Sequence, residues 1–139
     1  MVERVEWHNG LSVGIDEIDG QHRALFKAVN SFLDSVDGSS SLDDVAVVVS
    51  FLEEYVGVHF DTEERAMETH GYPLFDEHLA EHRHFKETIA YLKEKYLEWG
   101  WGTTEALKIM LQRKLVCWLT EHVSVSDKKL GAYLQDRSA

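Results

Sequence analysis

The chain has 139 residues, 44% of them hydrophobic, with 14 basic against 25 acidic side chains and a net charge of −11. That length suits one domain around one core. A charge this negative repels phosphate backbones and anionic lipid, so neither nucleic acid nor a membrane is an expected partner. No apolar run reaches the ~20 residues of a spanning helix, and the first ten residues lack an export signal core. The single cysteine, Cys117, excludes an intrachain disulfide and fits a reducing cytoplasm.

Residues 1–14 form an arm, hydrophobic from Val5 to Val13, expected to pack over one end of the domain. A first helix is expected over about 16–37, with Ile15, Ile18, His22, Leu25, Val29, Phe32 and Val36 in steps of three or four. The stretch "DGSSS" (37–41) ends it, and Ser41 or Asp43 can cap a second helix over about 42–70. That helix carries Val45, Val49, Leu52, Val56, His59, Glu63 and Met67 on one face, and Gly71 with Pro73 stops it. A third, about 74–98, carries Phe75, His78, His82, Phe85, Ile89, Leu92 and Tyr96. After "GWG" (100–102), Thr103 or Thr104 can open a fourth over about 103–123, with Leu107, Leu111, Leu115, Trp118 and His122. A softer break at "SVSD" (124–127) precedes a tail helix over about 128–135. The expected fold is therefore all-α: one domain, an antiparallel up-down-up-down four-helix bundle with an N-terminal arm and a short C-terminal helix.

Each stripe contains histidine where a core wants leucine. A lone histidine on an apolar face is ordinarily a core residue bonded to backbone. Five of them with Glu63 on four helices would each need separate compensation, because a buried unpaired polar group costs about 2–7 kcal/mol. A metal centre inside the bundle satisfies them together. His59 with Glu63, and His78 with His82, are spaced four apart and share a helix face. His22 and His122 add one ligand each. Asp127 lies five beyond His122, so it reaches back only if the helix breaks between them; its plain reading is an N-cap of the tail helix. Seven ligands exceed one tetrahedral zinc and fit two metals sharing carboxylates. Imidazole with carboxylate suits iron, copper or zinc.

The ordered set His22, His59-x-x-x-Glu63, His78-x-x-x-His82 and His122-x-x-x-x-Asp127 resembles the hemerythrin ligand pattern, and "GIDEIDGQH" with Trp7 resembles its bacteriohemerythrin branch. The resemblance implies two non-heme iron ions with an oxo or hydroxo bridge, binding dioxygen reversibly. By position, His78, His82 and His122 would hold one iron, His22 and His59 the other, and Glu63 and Asp127 would bridge them. By analogy and helix phase, Leu25, Trp118, Leu119 and Val123 would line the dioxygen pocket, with plain core packing as their other reading.

Among the remaining candidates, His84 is expected to face solvent and His70 to meet the C-terminal dipole of the second helix. Cys117 is expected to be a small buried hydrophobe, and Glu64 to belong to a solvated face. His8 has no assigned role. The expected function is dioxygen storage, delivery or sensing by a monomeric, stand-alone cytoplasmic protein that is not an enzyme. Its partners would be dioxygen and either a dioxygen-using enzyme or a signalling protein. The rivals are a di-iron enzyme reducing dioxygen, peroxide or nitric oxide, and a sensing domain. Against the enzyme stands the lack of two Glu-x-x-His pairs: Glu81 to His84 is the one match, and it is out of phase.

Overall fold

A computed structural model of the chain describes residues 4–37, 42–99, 109–110 and 112–138, with side chains at the edges of these spans left aside. Helices α1 (Asp16–Asp37), α2 (Leu42–His70) and α3 (Phe75–Trp99) are followed by a helical run in four parts. These are a π-helical segment π1 (Gln112–Cys117), α4 (Trp118–Glu121), a second π-helical segment π2 (His122–Asp127) and α5 (Lys128–Ser138). The fold is an all-α four-helix bundle, and no strand occurs among the described residues. The expected caps at Ser41, Thr103 and Thr104, the breaks at 38–41 and 100–102, and Leu107 and Leu111 lie outside the described residues. So do the side chains of Val36, Asp43, Val45 and Tyr96.

Amphipathic periodicity explains the packing. Ile18, Leu25, Val29 and Phe32 of α1 turn inward with Val49, Leu52 and Val56 of α2, and with Phe85, Ile89 and Leu92 of α3. Most of these belong to a larger core that also takes Val5, Leu11, Phe60, Leu115, Leu119 and Val123. Ile18 instead joins Val13, Met67, Tyr72, Leu130 and Leu134 in a smaller core. The smaller core closes the end where α2 turns into α3. There Gly71 takes φ 63°, the Tyr72 N–H donates to the Met67 carbonyl at 2.9 Å, and the Gly71 N–H donates to that of Glu68. This is a Schellman stop, with Tyr72 and Met67 in apolar contact across it. The Tyr133 hydroxyl on α5 donates to the carbonyls of His70, the last residue of α2, and of Gly71 just beyond it.

The arm does not sit over one end. It runs along α1 in the opposite direction. Arg4 pairs with Asp34, the Asn30 side-chain amide both accepts from and donates to the Val5 backbone, and Asp19 accepts from Ser12 Oγ and the Val13 N–H. Positions 34 to 19 span about 22 Å of helix. The reason is periodic: Val5, Leu11 and Val13 are each buried, and a strip that long needs a groove rather than a cap. Gly131 lets α5 approach it, since a Cβ there would overlap the Val13 carbonyl.

Candidate metal centre

Seven polar side chains converge between the two cores. His22 comes from α1, His59 and Glu63 from α2, His78 and His82 from α3, and His122 and Asp127 from π2. All seven are at most 3% exposed. On α2 and α3 the ordinary four-residue step stacks the pairs.

The last pair needs a different turn, and here the expected break is corrected. The backbone stays helical on both sides of π2, with φ −66°, ψ −43° at Glu121 and φ −65°, ψ −39° at Lys128. Between them the helix widens to the i→i+5 spacing, so a residue five along comes to lie one turn on. Asp127 therefore stands over His122 without any break. It caps nothing, being buried against imidazoles.

The carboxylates divide their oxygens. Glu63 Oε1 lies 2.9 Å from His82 Nε2 and 3.3 Å from His78 Nε2, while Oε2 lies 3.5 Å from Nε2 of both His22 and His59. Asp127 Oδ1 lies 3.0 Å from His78 Nε2 and 3.2 Å from His122 Nε2, while Oδ2 lies 2.8 Å from His22 Nε2. Two donor groups result: Glu63, His78, His82, His122 and Asp127 form one, and His22, His59, Glu63 and Asp127 the other. Within each group, one ligating atom from every residue lies within 4.8 Å of the rest.

Several of these contacts are short without the alignment of a hydrogen bond. Nε2 of His22, His59 and His122, Oε2 of Glu63 and both oxygens of Asp127 are buried with no hydrogen-bond partner. Each such atom costs about 1–3 kcal/mol if left so. These are the atoms aimed inward, and the donors are imidazole and carboxylate. Metal ions that take imidazole and carboxylate, iron among them, fit this set, since they would satisfy the orphaned atoms together.

Without metal, protons take up the strain. Burial opposes protonation of His22, but Asp127 and Glu63 override it and raise its pKa to about 9. His78 rises to about 9 against the same opposition and through the same carboxylates. His122 rises to about 10 despite burial, through Asp127, Glu81 and Glu63. His59 goes the other way: burial lowers it to about 4, Glu63 offsets little, and neighbouring His22 adds to the fall. The Asp127 oxygen that His22 enjoys at 2.8 Å makes the difference. Burial raises Glu63 and Asp127, yet the surrounding imidazoles hold both below the usual carboxylate range.

An outer layer escaped sequence reasoning. His59 Nδ1 meets Gln21 Oε1 at 2.7 Å, His82 Nδ1 meets Glu64 Oε2 at 2.9 Å, and His122 Nδ1 meets Glu81 Oε1 at 3.0 Å. Ser126 Oγ donates to both oxygens of Glu81. Glu64 is thus no mere solvated residue: it is the partner of His82. Gln21, Glu64 and Glu81 each adjoin a candidate ligand in sequence, a signal available in principle. Each serves the histidine of the next helix, which only packing reveals.

Aromatic rings wall the imidazoles. Phe60 stacks on His82 with centroids 3.7 Å apart, Trp118 on His122 at 4.8 Å, and Phe85 on Trp118 at 4.5 Å. Of the expected pocket residues, Leu25, Leu119 and Val123 are fully buried in the larger core, and Trp118 is half-buried at its edge. A surface cleft of about 360 Å³ lies beside His122, lined by Glu81, Trp118, Glu121, Val125 and Ser126.

Other candidates lie apart. His84 and His70 are exposed. His8 Nδ1 accepts from the Gly10 N–H and caps the 3-10 turn Asn9–Leu11. Cys117 is exposed rather than buried. It stands two residues from buried Leu115 and two from buried Leu119, which turns it to the opposite face.

Comparison with known proteins agrees with this geometry. The family model of the hemerythrin HHE cation binding domain matches residues 13–134. A bacteriohemerythrin of Stenotrophomonas maltophilia is 31% identical over 88% of this chain and 76% of its own. A bacteriohemerythrin of Methylococcus capsulatus is 30% identical over 90% of each chain. A crystal structure of wild-type hemerythrin superposes with a TM-score of 0.78 at 25% identity, covering 94% of this chain and 97% of that one. The chain belongs to the hemerythrin family, on its bacteriohemerythrin branch.

Proposed function

We propose that this chain is a single-domain non-heme di-iron protein that binds dioxygen reversibly, for storage, delivery or sensing, and is not an enzyme. The observation that carries this is the division of both carboxylates between two groups of imidazoles. His78, His82 and His122 would hold one iron and His22 and His59 the other, with Glu63 and Asp127 bridging them beside an oxo or hydroxo bridge. The first group has three imidazoles and the second two, so an ion in the second would have fewer protein donors and would be the one to take a small ligand. A ferrous pair bound there supplies the two electrons that reversible capture of dioxygen requires.

The protein's own residues supply the rest. Glu63 and Asp127 neutralise charge in a site that water does not reach. Leu25, Leu119 and Val123, all fully buried, would make its apolar boundary and exclude water and stray protons, as a dioxygen pocket requires. Phe60 and Trp118 fix the planes of His82 and His122. The bacteriohemerythrin relatives support the same reading. No helix of the described residues is long and apolar enough to cross a membrane, and we take the protein to act as a cytoplasmic monomer.

Metal analysis paired with absorption spectra of the reduced protein, before and after aeration and again after deoxygenation, tests the proposal. Two irons per chain and a visible change that reverses when dioxygen is removed are expected. Iron that oxidises on first aeration, with no reversible change, overturns it.

A further inference from the structure

The outer partners of the two donor groups differ in charge. In the group of His78, His82 and His122, two imidazoles donate through Nδ1 to carboxylates, His82 to Glu64 and His122 to Glu81. Glu81 is in turn held by the Ser126 hydroxyl at 2.8 and 2.9 Å, so π2 supplies both Asp127 and the residue that fixes Glu81. In the other group, His59 donates to the neutral amide of Gln21. The chain of donors then runs from Gln21 Nε2 to Thr62 Oγ1 at 3.2 Å, and from Thr62 Oγ1 to the Val58 carbonyl, and carries no charge anywhere. His22 Nδ1 has no hydrogen-bond partner at all.

A carboxylate on the far nitrogen pulls the N–H proton toward itself and pushes electron density onto Nε2, which makes the imidazole a stronger donor to a cation. A neutral amide does so weakly, and an unpartnered nitrogen not at all. The carboxylates, with side chains 23% and 39% exposed, also add negative charge one imidazole away from the inward-facing Nε2 atoms, partly screened by solvent. Imidazole count already favours the three-histidine group. The outer charges act in the same direction.

We propose that Glu64 and Glu81 are positioning residues that widen the difference between the two halves, so that the His78, His82 and His122 half takes a divalent cation first and releases it last. The inference rests on the reading of the cluster as a two-metal centre. Gln21 is its counterpart, keeping the His22 and His59 half the weaker one.

Zinc(II) is the probe, because it binds imidazole and carboxylate without redox change. The metal-free full chain is titrated by calorimetry, and histidine ring nitrogens are followed by NMR. One equivalent is expected to give metal-bound Nε2 signals for His78, His82 and His122, with those of His22 and His59 becoming metal-bound only at the second equivalent. Glu64→Gln and Glu81→Gln keep the hydrogen bonds and remove the charge. Each is expected to weaken the first binding event by about 10–100-fold and leave the second nearly unchanged. Gln21→Glu puts a carboxylate behind His59 and is expected to tighten the second event by about tenfold, a gain that a damaged fold cannot mimic. If both equivalents bind but the ratio of the two affinities is the same in all three variants, the role of the outer carboxylates is overturned while the two-metal centre stands. If fewer than two equivalents bind to the unaltered chain, both readings fall.

Discussion

In the larger core, Phe32, Leu52, Phe85 and Leu92 are at most 1% exposed; in the adjoining cluster, His22, Glu63, His82 and Asp127 are equally dry. The two layers differ in what completes them. Apolar side chains satisfy one another by contact, so the first layer is finished when the helices meet. The cluster has orphaned nitrogens and oxygens even after the helices meet, and its own histidines take up protons to compensate. Burial alone therefore does not tell a core from a site; the completeness of its polar pairing does.

Metal removal should separate the layers most sharply. Each ion at a thousandfold excess over its Kd stabilises the fold by about 4 kcal/mol, so chelating a pair should remove about 8. Thermal melts with and without chelator measure this. The metal-free melt should also depend on pH in a defined direction. His22 and His78 at about 9, and His122 at about 10, lie above their unfolded value of about 6.5. The stability these protons add is fully present below about pH 6.5 and is lost as pH rises through 9 to 10. Metal requires neutral imidazoles, so its affinity should rise over the same window. Melts at pH 6.5 and 9, with and without metal, should diverge as pH increases.

Leu52→Ala strikes the other layer. It should cost about 2–5 kcal/mol, equally in the metal-free and metal-loaded protein, by denaturant melts. A cost that appeared only in the loaded protein would mean that the two layers are not independent. Gly131→Ala, one turn beyond Asp127 and against Val13 of the smaller core, should cost about 1–3 kcal/mol by prising the arm off α5, with no change in metal stoichiometry. The smallest effect belongs to His84→Ala, within about 0.5 kcal/mol and with iron content intact. His78→Ala, six residues away in sequence, should lose iron.

Helices α1, α2 and α3 were legible because their apolar residues recur in steps of three and four, and because Gly71 stops α2 where the pattern ends. Six of the seven candidate ligands, His22, His59, Glu63, His78, His82 and His122, were legible because each is a polar residue at an apolar phase. Asp127 stood out by resemblance and not by phase, since a five-residue step has no place in an ordinary helix. The π-helical turn that gives it one depends on tertiary contacts: Asp127 facing three imidazoles and Ser126 bonded to Glu81.

The sequence by itself determined an all-α bundle and the residue types that meet in its middle, because periodicity is a local property and a histidine among leucines is visible one position at a time. Only the tertiary structure decided how those residues are served. The course of the arm along α1, the contacts that hold the widened turn at Asp127 and the pairing of Gln21, Glu64 and Glu81 with histidines on neighbouring helices are relations between segments far apart in the chain. The period of one helix does not encode which side chain of another it will touch; packing does.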